Sequence, residues 1–196
     1  YPSAEIVSVR SEGDIHRTNY LDISKRMAQL AHGLISIGVK PGDRIATLAW
    51  NGYRHLELYY AISGIGAVCH TINPRLSSDQ LTYIVNHAED LLLFVDLTFV
   101  PILEAVKDRL PLEMKIIILT DKKHMPKTSL KSMCYEELLK DKPQKINWPD
   151  FNEDTAASLC YTSGTTGPPK GAMISHDNLT FSSRNIMEVT PPLDSI

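Results

Sequence analysis

The chain has 196 residues, of which 43% are hydrophobic and 22% charged, and its formal net charge is -3. This length can bury a core, and the composition is that of a globular protein rather than a disordered or fibrous one. Proteins that bind phosphate backbones carry a basic excess, so nucleic acid is not expected as a partner.

Three widely spaced cysteines, Cys69, Cys134 and Cys160, show neither a disulfide framework nor the spacing of zinc ligands. A reducing compartment is therefore expected, which points to the cytoplasm. The apolar runs are strand-sized, well short of the roughly 20 residues of a membrane helix. Because the chain begins with Tyr1 and not with Met, we expect it to be a piece of a longer protein. A missing targeting segment would leave an organelle or a membrane surface as the alternative location.

The first half of the chain alternates helical and strand patterns. Apolar residues at helical spacing predict a helix from Leu21 to Ile37, which Gly38 ends. A turn at residues 41–43 leads into the strand "RIATLAW". The segment "YRHLELYYAISGIG" returns to helical spacing, and "AVCHTI" reads as a second strand.

The same alternation continues downstream. Ser77, Ser78 and Asp79 supply caps for a helix that runs to about Glu89. The strand "LLLFVD", a helix near residues 99–109 and the strand "KIIILT" follow. Strands that are apolar on both faces belong in a parallel sheet covered by helices. The predicted fold class is therefore α/β, with a layered, mostly parallel sheet and flanking helices.

Residues 121–155 interrupt this rhythm. They are polar and rich in lysine and proline, with one short helix predicted at "YEELLK", and we interpret them as a surface excursion. The strand "SLCYTS" then resumes the pattern, "GAMIS" is a further apolar strand, and an exposed helix is predicted from His176 to about Val189.

The loop between those last two strands, Thr162 to Lys170, has the composition of a phosphate site. Glycines let successive main-chain N–H groups turn inward and form a concave cluster suited to an anion. Hydroxyl groups at four of the first five positions add rotatable donors, and Lys170 adds a positive charge. The alternative is an ordinary polar turn, which composition alone leaves open.

Three common motifs do not match this loop. The spacing Gly164 to Gly167 does not fit a GxxxxGK[ST] Walker loop, and the loop has too few glycines for GxGxxG. Ser163 is not in a GxSxG elbow, so a hydrolase nucleophile is not indicated.

The segment "YTSGTTGPPKG" resembles the signature of the adenylate-forming superfamily, which includes acyl-CoA synthetases and luciferases. Residues 38–96 and the segment "GAMISHDNLT" are similar to medium- and long-chain fatty acyl-CoA synthetases. The resemblance implies that residues 1–196 are a partial N-terminal AMP-binding domain. The rest of that domain and a small, mobile C-terminal domain would lie beyond Ile196.

The resemblance also implies a reaction and its ligands. A fatty acid would be activated by ATP to an acyl-adenylate, which coenzyme A then converts to a thioester. The implied phosphate-binding residues are Thr162, Ser163, Gly164, Thr165, Thr166, Gly167 and Lys170, and the hydroxyl of Thr162 would also contact Mg²⁺. No catalytic residue is expected within residues 1–196, so this polypeptide alone should be inactive.

Several alternatives remain open from the sequence. The parent could activate another carboxylic acid, such as an aryl acid or an amino acid, or the chain could be a truncated, non-catalytic product. The resemblance also suggests that the parent forms a homodimer and associates peripherally with a membrane. Arg54, Glu57 and Arg75 would be candidates for a dimer contact, although we favour internal ion pairs for them. The seven histidines lack HxxxH or HExxH spacing and are interpreted as structural or surface residues.

Overall fold

A short antiparallel hairpin opens the computed structural model, which describes residues 1–162 and 167–189. Strands β1 (Glu5–Val9) and β2 (Ile15–Asn19) form a separate two-stranded sheet. Gly13 in the connecting turn has a φ of 97°, a value that favours glycine. The sequence patterns did not predict this hairpin.

Helix α1 (Tyr20–Ser36) follows the hairpin directly. The side chain of Asn19 caps it by accepting a hydrogen bond from the main-chain N–H of Asp22 at 2.9 Å. The helix was predicted with nearly these bounds, and the helical spacing of apolar residues placed Leu21 and Ile35 on its buried face. Both are exposed, and the buried face instead includes Ile23 and Ala28.

The main sheet has seven strands in the order β7-β6-β5-β3-β4-β8-β9. Every neighbouring pair is parallel except β8 and β9, which are antiparallel. The prediction of a mostly parallel sheet with flanking helices is thus confirmed. The strands are β3 (Arg44–Leu48), β4 (Val68–Thr71), β5 (Leu92–Val95), β6 (Lys115–Ile118), β7 (Ser132–Cys134), β8 (Ala156–Thr162) and β9 (Lys170–Ser175).

Helices cover both faces of this sheet and enclose two apolar cores. The helices are α2 (Tyr53–Gly64), α3 (Ser78–Ala88), α4 (Val100–Val106), α5 (Tyr135–Leu139) and α6 (His176–Val189). One core joins α1, α2 and α5 to the sheet, and the other joins α3 and α4 to its opposite face. Ser77 and Gln80 form a capping box at the start of α3, as the predicted cap required.

The segment 121–155 is more than a surface excursion. It contributes β7, which extends the sheet at its edge, and α5, whose Tyr135 is completely buried. A second correction concerns β9, whose apolar sequence led us to expect a buried strand. Residues 170–173 of β9 are exposed, because β9 is the last strand of the sheet among the described residues and neither apolar core extends to it.

The order of the strands creates a switch point at the carboxyl edge of the sheet. From β3 the chain passes to β4 on one side, and it then returns to β5 on the other side of β3. In open α/β sheets, ligands bind outside the carboxyl ends of the strands. Strand β8 runs parallel to β4, so its last residue, Thr162, lies at this edge. No helix in the described part of the chain is long and apolar enough to cross a membrane.

Candidate functional site

The candidate phosphate loop connects β8 to β9 at the carboxyl edge of the sheet. Thr162 and Lys170 are the closing pair of the antiparallel ladder, and the Thr162 Oγ1 lies 3.5 Å from the main-chain oxygen of Lys170. Both residues are exposed. The structure therefore brings together two of the predicted binding residues, Thr162 and Lys170, at the mouth of one loop.

The other predicted residues fall into two groups. Gly167 is exposed and has a φ of 151°, which lies outside the region that residues with a Cβ usually adopt. Among the described residues, a Cβ added there would meet nothing within 4 Å, and the backbone conformation by itself favours glycine. Ser163, Gly164, Thr165 and Thr166 lie outside the described residues.

Tyr161 anchors the strand that leads into the loop. Its hydroxyl lies 2.7 Å from the Nδ1 of His87 on α3. Gly171 lies opposite Tyr161 in the ladder, and a Cβ on Gly171 would come within 3.3 Å of the Tyr161 ring and within 3.0 Å of Leu159. The glycine thus leaves room for these side chains, which fixes the position of β8 just before Thr162.

A cleft of about 300 Å³ lies beside the loop at the same edge of the sheet. It is lined by residues that follow β3 and β4, by two residues of β8, and by side chains of α2 and α3. Thr71 Oγ1 and Cys160 Sγ, which both line the cleft, are 3.2 Å apart. The cleft thus offers a mixed apolar and polar surface next to the end of β8.

His55 is the main titratable group of this cleft. Its Nε2 lies 3.0 Å from the Oγ1 of Thr47, and its ring stacks on Tyr59 with 4.7 Å between centroids. Burial lowers the pKa of His55, so the imidazole is held neutral. The histidines were interpreted as structural or surface residues and His55 was not singled out, because its hydrogen-bond partner, Thr47, lies on another element, β3.

Thr162 was also predicted as a ligand of Mg²⁺. Mg²⁺ binds oxygen donors, keeps several waters and in nucleotide sites is held by one or two protein groups together with phosphates. The Thr162 hydroxyl fits one such position. Within the described residues, the one cluster of three acidic, histidine or cysteine side chains lies elsewhere, so the loop would hold Mg²⁺ only together with a phosphate ligand.

The ion pairs settle the position of two of the three residues considered for a dimer contact. Arg54 bonds to Glu12 and Glu136, and Glu57 bonds to Arg26 and Tyr135. Both are buried, which agrees with the internal pairing that the sequence favoured, although the partners are different residues. Arg75 is exposed.

Comparison with known proteins gives a family match along almost the whole chain. The model of the AMP-binding enzyme family matches residues 1–195. Over 180 residues the chain is 46% identical to a 3-methylmercaptopropionyl-CoA ligase of Ruegeria lacuscaerulensis and 43% identical to a medium-chain-fatty-acid–CoA ligase of Ectopseudomonas oleovorans. It is 41% identical over 179 residues to a long-chain-fatty-acid–CoA ligase of Thermus thermophilus.

These relatives are much longer than this chain. Each alignment covers 91% of the chain but only 32% or 33% of the relative, so the chain spans about a third of their length. Among solved structures, an anthranilate CoA ligase in complex with anthranoyl-AMP matches 86% of the chain and 32% of its own, with a TM-score of 0.79 and 22% identity. A long-chain-fatty-acid-CoA ligase from Archaeoglobus fulgidus matches 87% of the chain and 32% of its own, with a TM-score of 0.74 and 24% identity. These two likenesses support the fold.

Proposed function

Because the chain belongs to the family of AMP-binding enzymes, we propose that it is the N-terminal, phosphate-binding part of a ligase that joins a fatty acid to coenzyme A. The observation that carries this proposal is the position of Thr162 and Lys170. They close a glycine- and hydroxyl-rich loop at the carboxyl edge of a parallel sheet, where ligands of open α/β sheets bind. Residues 1–196 then form only part of the N-terminal domain.

The proposed reaction has two steps. The carboxylate of the fatty acid attacks the α-phosphorus of ATP, a P–O bond breaks, and pyrophosphate leaves the acyl-adenylate. The sulfur of coenzyme A then attacks the acyl carbon, its proton is lost, and AMP leaves with the electron pair of the C–O bond. Neither step needs an oxidant or a reductant.

The contribution of this chain is to hold the polyphosphate of ATP. Main-chain N–H groups of residues 163–167 and the Thr162 hydroxyl would donate to phosphate oxygens, and Lys170 would offset the negative charge that grows on the leaving pyrophosphate. Bound Mg²⁺ would supply further positive charge at these oxygens. The residues that act on adenine, ribose and coenzyme A are proposed to lie outside residues 1–196.

The proposal that the substrate is a fatty acid rests on the names of the relatives. Two of those named above act, by their names, on medium- and long-chain fatty acids, and the third on 3-methylmercaptopropionate. A short thioether acid is therefore the second candidate substrate. A cytoplasmic location, peripheral membrane association and a homodimer remain proposals, and the internal pairing of Arg54 and Glu57 gives no support to a dimer contact through them.

Pyrophosphate exchange tests the first half-reaction. A full-length protein that carries this chain should incorporate labelled pyrophosphate into ATP only when an acid is added, and a panel from 3-methylmercaptopropionate to long-chain fatty acids should identify that acid. Lys170→Ala should lower the exchange rate by about 100-fold, in line with the loss of one charge-stabilising donor. Lys40→Ala is the matched control, because Lys40 is an exposed lysine in a turn outside the loop.

The outcomes separate the alternatives. Exchange that occurs only with aryl acids or amino acids would identify one of these acids, and not a fatty acid, as the substrate. Binding of Mg-ATP without exchange would favour a non-catalytic nucleotide-binding protein. Equal exchange rates in Lys170→Ala and the unsubstituted protein would show that Lys170 does not act on the phosphates.

The role of the Thr162 hydroxyl can be tested by substitutions that remove or keep it. Thr162→Val should weaken Mg-ATP binding by about tenfold, which corresponds to about 1.4 kcal/mol, whereas Thr162→Ser should bind as tightly as the unsubstituted protein. Calorimetric titration with Mg-ATP measures both. If the valine variant binds Mg-ATP as well as the serine variant, the hydroxyl contacts neither phosphate nor metal.

A further inference from the structure

A buried pair of a histidine and an aspartate lies beside strand β8, which leads into the loop. His70 is on β4, Asp90 follows α3, and both side chains are completely buried. The Nδ1 of His70 lies 3.0 Å and 2.8 Å from the two carboxylate oxygens of Asp90. Because an ionised carboxylate can only accept hydrogen bonds, Nδ1 carries the proton and donates to Asp90.

Asp90 alone orients the imidazole ring of His70. The second ring nitrogen, Nε2, is buried and has no hydrogen-bond partner among the described residues. In the same part of the chain, His70 is also the one group that donates to the Asp90 carboxylate. Burial raises the pKa of Asp90, and the hydrogen bond from His70 opposes this shift. The two side chains therefore depend on each other.

The ring of His70 packs against the ring of Tyr161. The two ring centroids are 5.1 Å apart and the rings are tilted by 46°, a separation typical of aromatic pairs. His70 pairs with Leu159 in the parallel ladder, and Tyr161 lies two residues further along β8 on the same face. Thr162 follows Tyr161 directly, so a chain of contacts runs from Asp90 to the start of the loop.

Stability alone does not account for a charged pair at this place. Val68 and Leu159 lie next to His70 on the same face of the sheet, and with Ala88 they form a small apolar core. Removing two charged groups from water costs about as much as their attraction returns, so apolar side chains of similar volume often give an equally stable core. The pair supplies one thing that an apolar side chain does not, namely a ring held in one orientation by a hydrogen bond.

We propose that His70, oriented by Asp90, is a positioning residue for the phosphate loop and acts through the ring of Tyr161. This inference rests on the proposed binding of ATP by that loop. Tyr161 and Thr162 are consecutive residues of one strand, so a displacement of the Tyr161 ring also moves the Thr162 hydroxyl. A binding site must hold its donors within about 0.5 Å of the productive geometry, so such a displacement weakens phosphate binding.

His70→Asn separates positioning from the satisfaction of Asp90. The side-chain N–H of asparagine can replace the Nδ1–H and donate to Asp90, but the ring that contacts Tyr161 is lost. In a full-length protein that carries the chain, we expect this variant to bind Mg-ATP about fivefold more weakly, an effect of the size measured between residues in contact. Calorimetric titration measures the affinity, and a circular dichroism spectrum checks that the variant folds.

A double-mutant cycle shows whether the effect passes through Tyr161. In the Tyr161→Leu background, which has no ring at this position, His70→Asn should change the Mg-ATP affinity by less than about twofold. Tyr161→Phe is the matched control background, because it keeps the ring and removes only the hydroxyl that contacts His87. There the loss of about fivefold should persist. Equal losses in the two backgrounds, or an unchanged affinity in His70→Asn alone, would overturn the proposal.

A measurement without nucleotide separates this proposal from the ATP site itself. In protein labelled with fluorotyrosine, the fluorine NMR signal that Tyr161→Phe removes belongs to Tyr161, and this signal should shift in His70→Asn. It should not shift in His32→Asn, because the ring of His32 contacts the main-chain oxygen of Lys145 instead. If the unsubstituted protein does not bind Mg-ATP, the proposed function fails, and the fluorine signal still decides whether His70 positions Tyr161. A signal that does not move in His70→Asn would overturn the proposal.

Discussion

Glu136 shows how a single carboxylate is stabilised by charges from distant parts of the chain. Arg26 Nη1 donates to one of its oxygens at 3.0 Å, and Arg54 Nε donates to the other at 3.0 Å. Burial by itself would raise the pKa of Glu136, but the two guanidinium groups outweigh it and lower the pKa below its ordinary value of 4.5. These two ion pairs join α1 and α2 to α5.

This shift predicts a pH dependence of stability. With a lowered pKa, the folded state binds fewer protons than the unfolded state, so the contribution of Glu136 is fully present above pH 4.5 and is lost as the pH falls through the lower folded value. The stability gap between the unsubstituted protein and Glu136→Gln should therefore narrow as the pH falls through this range. Urea denaturation at a series of pH values measures the gap.

Glu137→Gln is the matched control for this experiment. Glu137 is the next residue along α5 and is exposed, so its substitution should change the free energy of unfolding by no more than about 0.5 kcal/mol. A gap for Glu136→Gln that stays constant with pH would contradict the assigned ion pairs.

At the scale of elements, α1 and α5 approach each other so closely that one position must be glycine. A Cβ on Gly33 would lie 2.8 Å from the main-chain oxygen of Leu138 and 3.0 Å from its Cγ. A main-chain atom cannot move aside as a side chain can, so the two helices would have to separate.

Gly33→Ala therefore tests this packing. In an exposed helix position the change should stabilise by about 1 kcal/mol through helix propensity. Here overpacking costs typically about 1–3 kcal/mol, so we expect a net loss of stability of up to about 2 kcal/mol. Chemical denaturation checks the sign, and a more stable variant would show that the helices do not touch at Gly33.

The elements also show which patterns in the sequence were informative. The parallel strands and their helices were predictable because the strands are continuous apolar runs between helical stripes. The hairpin was not predictable, because in β1 the apolar side chains of Val7 and Val9 are exposed while Ser8 is buried. The hydroxyl of Ser8 accepts a hydrogen bond from the main-chain N–H of Tyr53 at 3.0 Å, a tertiary contact that no local pattern encodes.

The candidate site was predictable only in part for the same reason. A loop between two strands brings Thr162 and Lys170 together by local geometry, so their proximity follows from the strand prediction. The cleft beside the loop requires the order of the strands, which sets β8 next to β4.

At the scale of the whole molecule, the last two elements of the described part expose apolar side chains. Helix α6 exposes Leu179, Phe181 and Ile186, and β9 exposes Met173. Leu179 and Ile186 are seven positions apart and share one face of α6, whereas Phe181 lies on another face. Since the chain spans about a third of the length of its relatives, we propose that another part of the full-length protein covers Leu179 and Ile186.

The most direct measurement is a crystal structure of the full-length protein with bound ATP. We expect the β- and γ-phosphates to lie within about 3.2 Å of main-chain nitrogens in residues 163–167, with the Thr162 hydroxyl at a phosphate oxygen or its metal. The ammonium group of Lys170 should lie on the same side of the phosphates. A polyphosphate chain bound elsewhere, with the loop between β8 and β9 free of contacts to it, would show that this loop is not the phosphate site.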